Sequence, residues 1–471
     1  HGTPKSWFEP YGWRVCGTEK GNDWGSVLKT LLELCYSNSC DNIPGVAWFK
    51  TKKGRGYLKY DYSSHGAPHK PNSDIFWETK KPFMEKYGVE FDGYGKPFPR
   101  DQKEIKQQFS ANLQIVADVI CQDTKLVDYI SEKLISLSEK VPKEPTKTSV
   151  LFQDNPLFDP ELFDFTKYPK EMFIPPGSMA ANRAGLARWG AWVNSWARQK
   201  YGRPLFLVAS ADLADSTQIS GFGEAWGDNE GFGWYDRETN PEGVVLHQAI
   251  TEPVNAGIMA GLATTNFASD VMSEFNGFLG ATSTYGAFAY LKYGMFRLLS
   301  QLAQDSPIKT GKVLWIAGHS GPETADDSRT HFGIFAPGVT KLFPEGKIIN
   351  IHPWEYNEVP VVLGAALKLS QEQDIPLIAL HLTRPAIEIP DRKALGIASH
   401  FEASRGAYII RPFQPNIPKM GTIIVQGTAT TNVICKILSE LNKEGLNVKI
   451  ISAISKELFK VQSDDYRNSI L

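Results

Sequence analysis

No stretch of the 471-residue sequence stays apolar for the roughly 18 residues that a bilayer-spanning helix needs, and the start HGTPKSWFEP is polar and interrupted by Trp and Pro. These absences favour a soluble, cytoplasmic protein with no membrane partner. Cysteine is sparse. The five residues Cys16, Cys35, Cys40, Cys121 and Cys435 are odd in number, scattered and without a CxxC pair, which points to reduced thiols rather than a disulfide framework or zinc site. An excess of charge is missing too: 50 Lys and Arg oppose 52 Asp and Glu, so the chain as a whole gives no electrostatic reason to expect nucleic acid. Short internal repeats and low-complexity tracts are absent, which argues against a solenoid. What is present is a 42% hydrophobic and 22% charged composition, enough to build a large core. At roughly 150 residues per domain, the length suggests about three domains.

Within the first hundred residues, SVLKTLLELCY has the periodicity of an amphipathic helix, and GVAWFKTKK reads as a strand entering a basic loop that continues to SSHGAP around His65. Residues from Asp101 to about Lys140 read as helical before VPKEPTKTS breaks the pattern, which sets a first domain of 1–147. The Phe-, Pro- and Asp-rich stretch 148–176 is expected to be an extended linker on a surface. Over 177–393 the runs PLFLVASADL, GVVLHQAITE, KVLWIAGHSG, KIINIHPW and PLIALHLTR alternate with helical segments, the pattern of a parallel α/β sheet. Ligands of such sheets gather outside the carboxyl ends of the strands, and those ends carry Asp212, Glu252, His319 and Arg384. A Pro-containing connector over 394–420 leads to 421–471, which reads as one strand–helix–strand unit.

GHSGPETADDSRTHF places His319, Asp327 and His331 in one loop after a strand. Two imidazoles and a carboxylate in one cleft suit proton transfer to hydroxyls and carbonyls near neutral pH. A metal site and a solvated loop are the rival readings, and no HExxH or compact HxH spacing supports the metal. Glu252 opens a helix of small apolar residues with Pro253 at its first turn. A carboxyl group there is expected to be partly desolvated and able to donate a proton, or to be a simple helix N-terminal carboxylate favoured by the dipole.

SADLADS, ITEPVNAGIMAGLA, STYGAF, GHSGPETADDSRTHFGIF and LHLTRP together resemble the pyrimidine-binding domain of the thiamine-diphosphate-dependent transketolase family in their order and in the intervals from His319 to Asp327 to His331, although the interval from Glu252 to Tyr285 is longer than the family's. WFEPYGWRV, TKKGRGY and SSHGAP resemble the second half of that family's pyrophosphate-binding domain, and 421–471 resembles the start of its C-terminal domain. The resemblance implies a multi-domain, parallel-sheet α/β fold that binds thiamine diphosphate. It also implies transfer of a two-carbon glycolaldehyde unit from a ketose phosphate to an aldose phosphate through a thiamine carbanion and enamine. By position, Glu252 is implied as the catalytic partner of the aminopyrimidine, Tyr285 and Phe288 as aromatic residues around that ring, Asp212 as an acidic residue near the cofactor, and His65 as a histidine close to the diphosphate and reacting carbon. Arg183, Ser216, His319 and Arg384 are implied to hold the substrate phosphate. Asp327 and His331 are implied to contact its hydroxyls and to assist proton movement at the carbonyl, and Glu252, His65, His319 and His331 make up the implied catalytic set.

The family's glycine–aspartate–glycine motif, which holds Mg²⁺ or Ca²⁺, is expected before residue 1, on a longer chain or a separate N-terminal polypeptide, so no metal ligand is assigned within this sequence. A homodimer acting on sugar phosphates is the implied assembly. Thr251 stands where the family usually has arginine, and Leu291 where a third aromatic is usual. These departures leave a phosphoketolase- or dihydroxyacetone-synthase-type enzyme, or a non-catalytic transketolase-like subunit, as alternatives.

Overall fold

The structure, a computed structural model, describes residues 2–36, 43–61, 70–140, 151–318, 331, 333 and 336–471. The chain divides into two compact units, His1–Lys143 and Glu144–Leu471. Among the described residues no helix is long and apolar enough to cross a membrane.

In the first unit, β1 (Arg14–Thr18) and β2 (Gly45–Phe49) pair in parallel. A parallel pair needs a crossover, and helix Trp24–Tyr36, from the amphipathic stretch, lies between them in sequence. The helix is tied to β1 where buried Cys16 donates its thiol to the Thr30 carbonyl at 3.6 Å. Further on, Ser73 Oγ caps helix Asp74–Tyr87 by accepting the Phe76 N–H at 3.2 Å. Asp101 caps helix Gln102–Gln122 in the same way through Lys103 and Glu104. Trp77, Met84 and Phe91 form the small core of these helices, with Ile115 and Val116 packed against it.

In the second unit, the strands are β3 (Met179–Ala180), β4 (Phe206–Ser210), β5 (Val245–Leu246), β6 (Leu279–Tyr285), β7 (Val313–Gly318), β8 (Ile348–Ile351), β9 (Leu377–His381), β10 (Ile387–Glu388), β11 (Ala407–Arg411), β12 (Gly421–Val425) and β13 (Val448–Ala453). Six of them make a sheet in the order β5-β4-β6-β7-β9-β8. Every pairing in it is parallel, so the α/β class read from the sequence is the class observed. Both faces are covered, as all-parallel sheets require. One core includes Trp189, Phe206, Leu314, Ile316 and Val362, and the other includes Ala256, Met259, Phe296, Val313 and Trp315.

The strand order reverses between β4 and β6, and β6 departs from the apolar pattern of its neighbours. Its sequence LGATSTY is small and hydroxyl-rich, yet Leu279 to Thr284 are all buried. Gly280 explains part of this: a Cβ there would lie 2.9 Å from the Met259 side chain, so only glycine lets helix Glu252–Leu262 approach the strand. On the opposite face, helix Arg183–Tyr201 is held by Asn194. Its amide donates to the Phe206 and Phe222 carbonyls, both at 3.0 Å, and accepts the N–H groups of Leu205 and Phe206 at 3.0 and 2.8 Å. All its hydrogen-bonding capacity is used, as burial demands.

The stretch expected as a surface linker instead turns through short helices and buries Leu157, Leu162, Tyr168 and Met172 in the first of these cores. β11, inside the stretch read as a connector, pairs antiparallel with β13, which pairs parallel with β12. Edge strand β8 and the segment after it meet the segment that follows β13: the Asn350 N–H donates to Glu457 Oε2, in helix Lys456–Lys460, at 3.0 Å, and the His352 N–H donates to the Ile454 carbonyl at 2.8 Å.

Candidate functional site

The chemistry gathers at the carboxyl ends of β4, β6 and β9. Glu252 begins helix Glu252–Leu262 and is 3% exposed. Its Oε1 accepts the hydroxyl of Thr284, near the end of β6, at 3.0 Å. Pro253 fits the first turn, where a missing N–H costs nothing.

One residue beyond Thr284, the Tyr285 hydroxyl shares a hydrogen bond with Ser216 Oγ at 2.8 Å. The His331 ring stands edge-on to Tyr285, with centroids 4.9 Å apart, and to Phe288 at 5.8 Å. Such edge-to-face contacts match the quadrupoles of the rings. The Ser216 carbonyl accepts Nη1 of Arg183 at 2.5 Å. Thus Arg183, Ser216, Tyr285, Phe288 and His331, from four separate segments, form one continuous cluster.

Arg183 is joined electrostatically by Arg384. Partial burial, and then the Arg384 charge, lower the pKa of the Arg183 guanidinium, against an opposing pull from Tyr285. Two guanidinium groups close enough to repel form a natural seat for an anion. The residues just before them are bonded to each other: buried Asn182 accepts the Thr383 N–H at 2.8 Å and the Thr383 hydroxyl at 3.2 Å, and donates to the Pro353 carbonyl at 2.8 Å.

A ladder of hydroxyls links β4 to β6 at the reversal. Ser283 Oγ donates to Ser210 Oγ at 2.8 Å, Ser210 Oγ to the Ser283 carbonyl at 3.2 Å, and Thr217 Oγ1 lies 2.6 Å from Ser283 Oγ. Asp212 follows β4 in a left-handed conformation with φ +62°, and its side chain is exposed rather than part of the cluster. His65, His319 and Asp327 lie outside the described residues. Sequence reasoning missed Thr284 and Lys292. Thr284 is anonymous within a hydroxyl-rich strand, and Lys292 is a single cation at the start of an amphipathic helix, where exposure is the ordinary expectation.

Fold and cluster together define a protein built on a parallel sheet with its ligand-type residues at the strand-order reversal, the place where open α/β sheets bind. No family model matches the chain. Transketolase 1 of Pasteurella multocida is 23% identical over 470 residues, covering 98% of this chain and 60% of that protein. The transketolase structure from Campylobacter jejuni superposes on all of this chain and 61% of its own, with a TM-score of 0.62 at 19% identity. A Pichia stipitis transketolase solved with sedoheptulose-7-phosphate gives a TM-score of 0.61 at 19% identity, covering 99% of this chain and 59% of its own. The chain is thus similar to transketolases in sequence and shares their fold, and it spans about 60% of the length of the relatives it matches.

Proposed function

We propose that the protein is a thiamine-diphosphate-dependent enzyme of the transketolase type, acting on sugar phosphates as part of a homodimer. The buried Glu252 carboxyl carries this reading, because it sits at a helix N-terminus with one oxygen held by Thr284. A carboxyl so placed suits hydrogen bonding and proton exchange with a ring nitrogen of a heteroaromatic ligand. Tyr285, Phe288 and His331 supply the aromatic surface that a flat pyrimidine needs. The residues present therefore fit the pyrimidine half of thiamine diphosphate, which when bound supplies the electron sink for cleaving a ketose carbon–carbon bond. Among the described residues no cluster of His, Cys, Asp and Glu suits a metal, so none is proposed to hold the Mg²⁺ or Ca²⁺ that accompanies the diphosphate.

In this reading Glu252 holds or releases a proton at the pyrimidine nitrogen, and Tyr285 and Phe288 fix the ring. Arg183 and Arg384, with Ser216, take the terminal phosphate of the sugar. His331, on the Tyr285 side of the cluster, contacts substrate hydroxyls. His319 and Asp327 join this set, while His65 and Asp212 serve the cofactor.

The test is two-carbon transfer by the native assembly, supplied with thiamine diphosphate and Mg²⁺. A ketose phosphate labelled at C1 should pass its label to an aldose phosphate. Labelled acetyl phosphate formed with inorganic phosphate would instead indicate a phosphoketolase-type enzyme, and an unreacted donor a binding subunit.

A further inference from the structure

Lys292 is fully buried, at 0% exposure, at the end of the short helical segment Gly286–Lys292. Its ammonium donates to the Thr282 hydroxyl and to the Ser283 carbonyl, both at 2.7 Å. Successive side chains of a strand alternate faces, so Thr282 and Thr284 project to the same side of β6, about 7 Å apart. One of these hydroxyls anchors the Lys292 amine and the other anchors the Glu252 carboxyl. Their neighbours on that face are apolar, including Ala256, Met259, Phe296 and Trp315.

An unpaired amine is costly in such a layer. Burial pushes the pKa of Lys292 down to about 7, and the charge of Glu252 is the one nearby charge that opposes the shift. Among the described residues, helix Glu252–Leu262 carries no other titratable group, β6 carries Tyr285, and helix Tyr293–Asp305 carries Tyr293, Arg297 and Asp305. Helix Ala336–Thr340 and β7 carry none. No direct ion pair joins the two side chains, so they act on each other through the hydroxyls and the field of one strand face.

We infer that Lys292 is a positioning residue for Glu252: a buried ammonium, fixed to the same face of β6, that supplies the counter-charge holding the Glu252 carboxylate at the mouth of its helix. Its significance for cofactor binding rests on the function proposed above, but the coupling between the two groups does not.

The first measurement follows the lysine Cε resonances of the full chain, selectively ¹³C-labelled, through a pH titration. The Lys292 signal is assigned by its loss in Lys292→Arg, with Lys292→Met as a second assignment should that variant fail to fold. Glu252→Gln, which keeps shape and removes the charge, should lower the Lys292 midpoint by about one unit or more. Glu252→Asp serves if the glutamine variant is unstable, and should shift the midpoint in the same direction by less. A midpoint that ignores both changes overturns the proposal.

The second measurement is the affinity for thiamine diphosphate in the native assembly. Lys292→Met should weaken it by about tenfold or more, while Lys292→Arg keeps most of it. Equal affinity of wild type and Lys292→Met overturns the positioning role. If wild type itself takes up no thiamine diphosphate, the functional reading fails, and the titration alone decides the inference.

Discussion

Asn182 Oδ1 accepts the backbone N–H of Thr383 at 2.8 Å, and the residues that follow these two are Arg183 and Arg384. A buried amide, satisfied at both ends, therefore fixes the start of a helix against the exit of β9 and brings two guanidinium groups together. An anion lying between them would offset their mutual repulsion. With a charge-assisted hydrogen bond contributing about 1.5–3 kcal/mol, Arg384→Ala should lower kcat/KM for a phosphorylated acceptor by roughly 10- to 100-fold. The same change should alter kcat/KM for unphosphorylated glycolaldehyde little. Equal losses on both acceptors would count against phosphate recognition.

Glu252→Gln tests the carboxyl rather than the scaffold. The amide can still accept from Thr284, so circular dichroism and melting temperature should stay close to wild type. Proton exchange at C2 of bound thiamine diphosphate should slow by about 10²- to 10⁴-fold, the range of a lost general acid–base group. Exchange at the wild-type rate would return Glu252 to a structural role.

Legibility in the sequence followed the physics of each element. β4, β7, β8 and β9 are continuous apolar runs because the sheet buries both faces, and such runs announce themselves. β6, between β4 and β7, was invisible as a strand. Gly280 is needed for helix approach, and Thr282, Ser283 and Thr284 are needed as anchors for Lys292, Ser210 and Glu252, so an apolar signature had no room. The linker was misread for the opposite reason: Phe and Pro in short turns look irregular in sequence, although Leu162 and Met172 are fully buried. For the site, the polar carboxyl ends of apolar runs pointed to Glu252 and Arg384, and the family resemblance to Tyr285. Lys292 gave no signal, because its burial depends on the Thr282 hydroxyl and the Ser283 carbonyl, ten and nine residues away.

A buried charge network joins the parallel sheet to β11. Arg392 Nη2 donates to Glu355 Oε1 at 2.8 Å and Glu358 Oε1 at 2.9 Å, and the Tyr408 hydroxyl donates to Glu358 Oε1 at 2.6 Å. Burial pushes the Glu358 carboxyl up in pKa, and Arg392 opposes it. Removing the cation alone strands two carboxyl groups at 0% exposure, so Arg392→Met should destabilise by about 3–5 kcal/mol in denaturant melts. Adding Glu355→Gln and Glu358→Gln should recover part of that loss. A single variant as stable as wild type would mean that water already relieves the network.

Acid should weaken the fold through His381. This ring is 3% exposed, stacks on His352 at 4.1 Å, and lies 3.4 Å from both Thr340 Oγ1 and Asn350 Oδ1. Burial first, and then the charges of His352 and Lys341, hold its pKa well below the usual histidine value. Burial, and then the Lys341 charge, lower His352 to about 3, so that ring adds to the effect of His381 over the same pH range. The unfolded chain takes up a proton near pH 6.5 where the folded chain does not. Stability is therefore complete above that pH and falls as the medium is acidified, by up to about 1.4 kcal/mol per pH unit for one such group. Between pH 6.5 and 5 most carboxylates are still ionised, so the loss in that window reports histidine. His381→Gln keeps a side-chain donor and cannot titrate. Its denaturant midpoint should fall less steeply than wild type across this window, even if its stability at pH 7.5 is lower, and parallel slopes would show that His381 takes up its proton without unfolding.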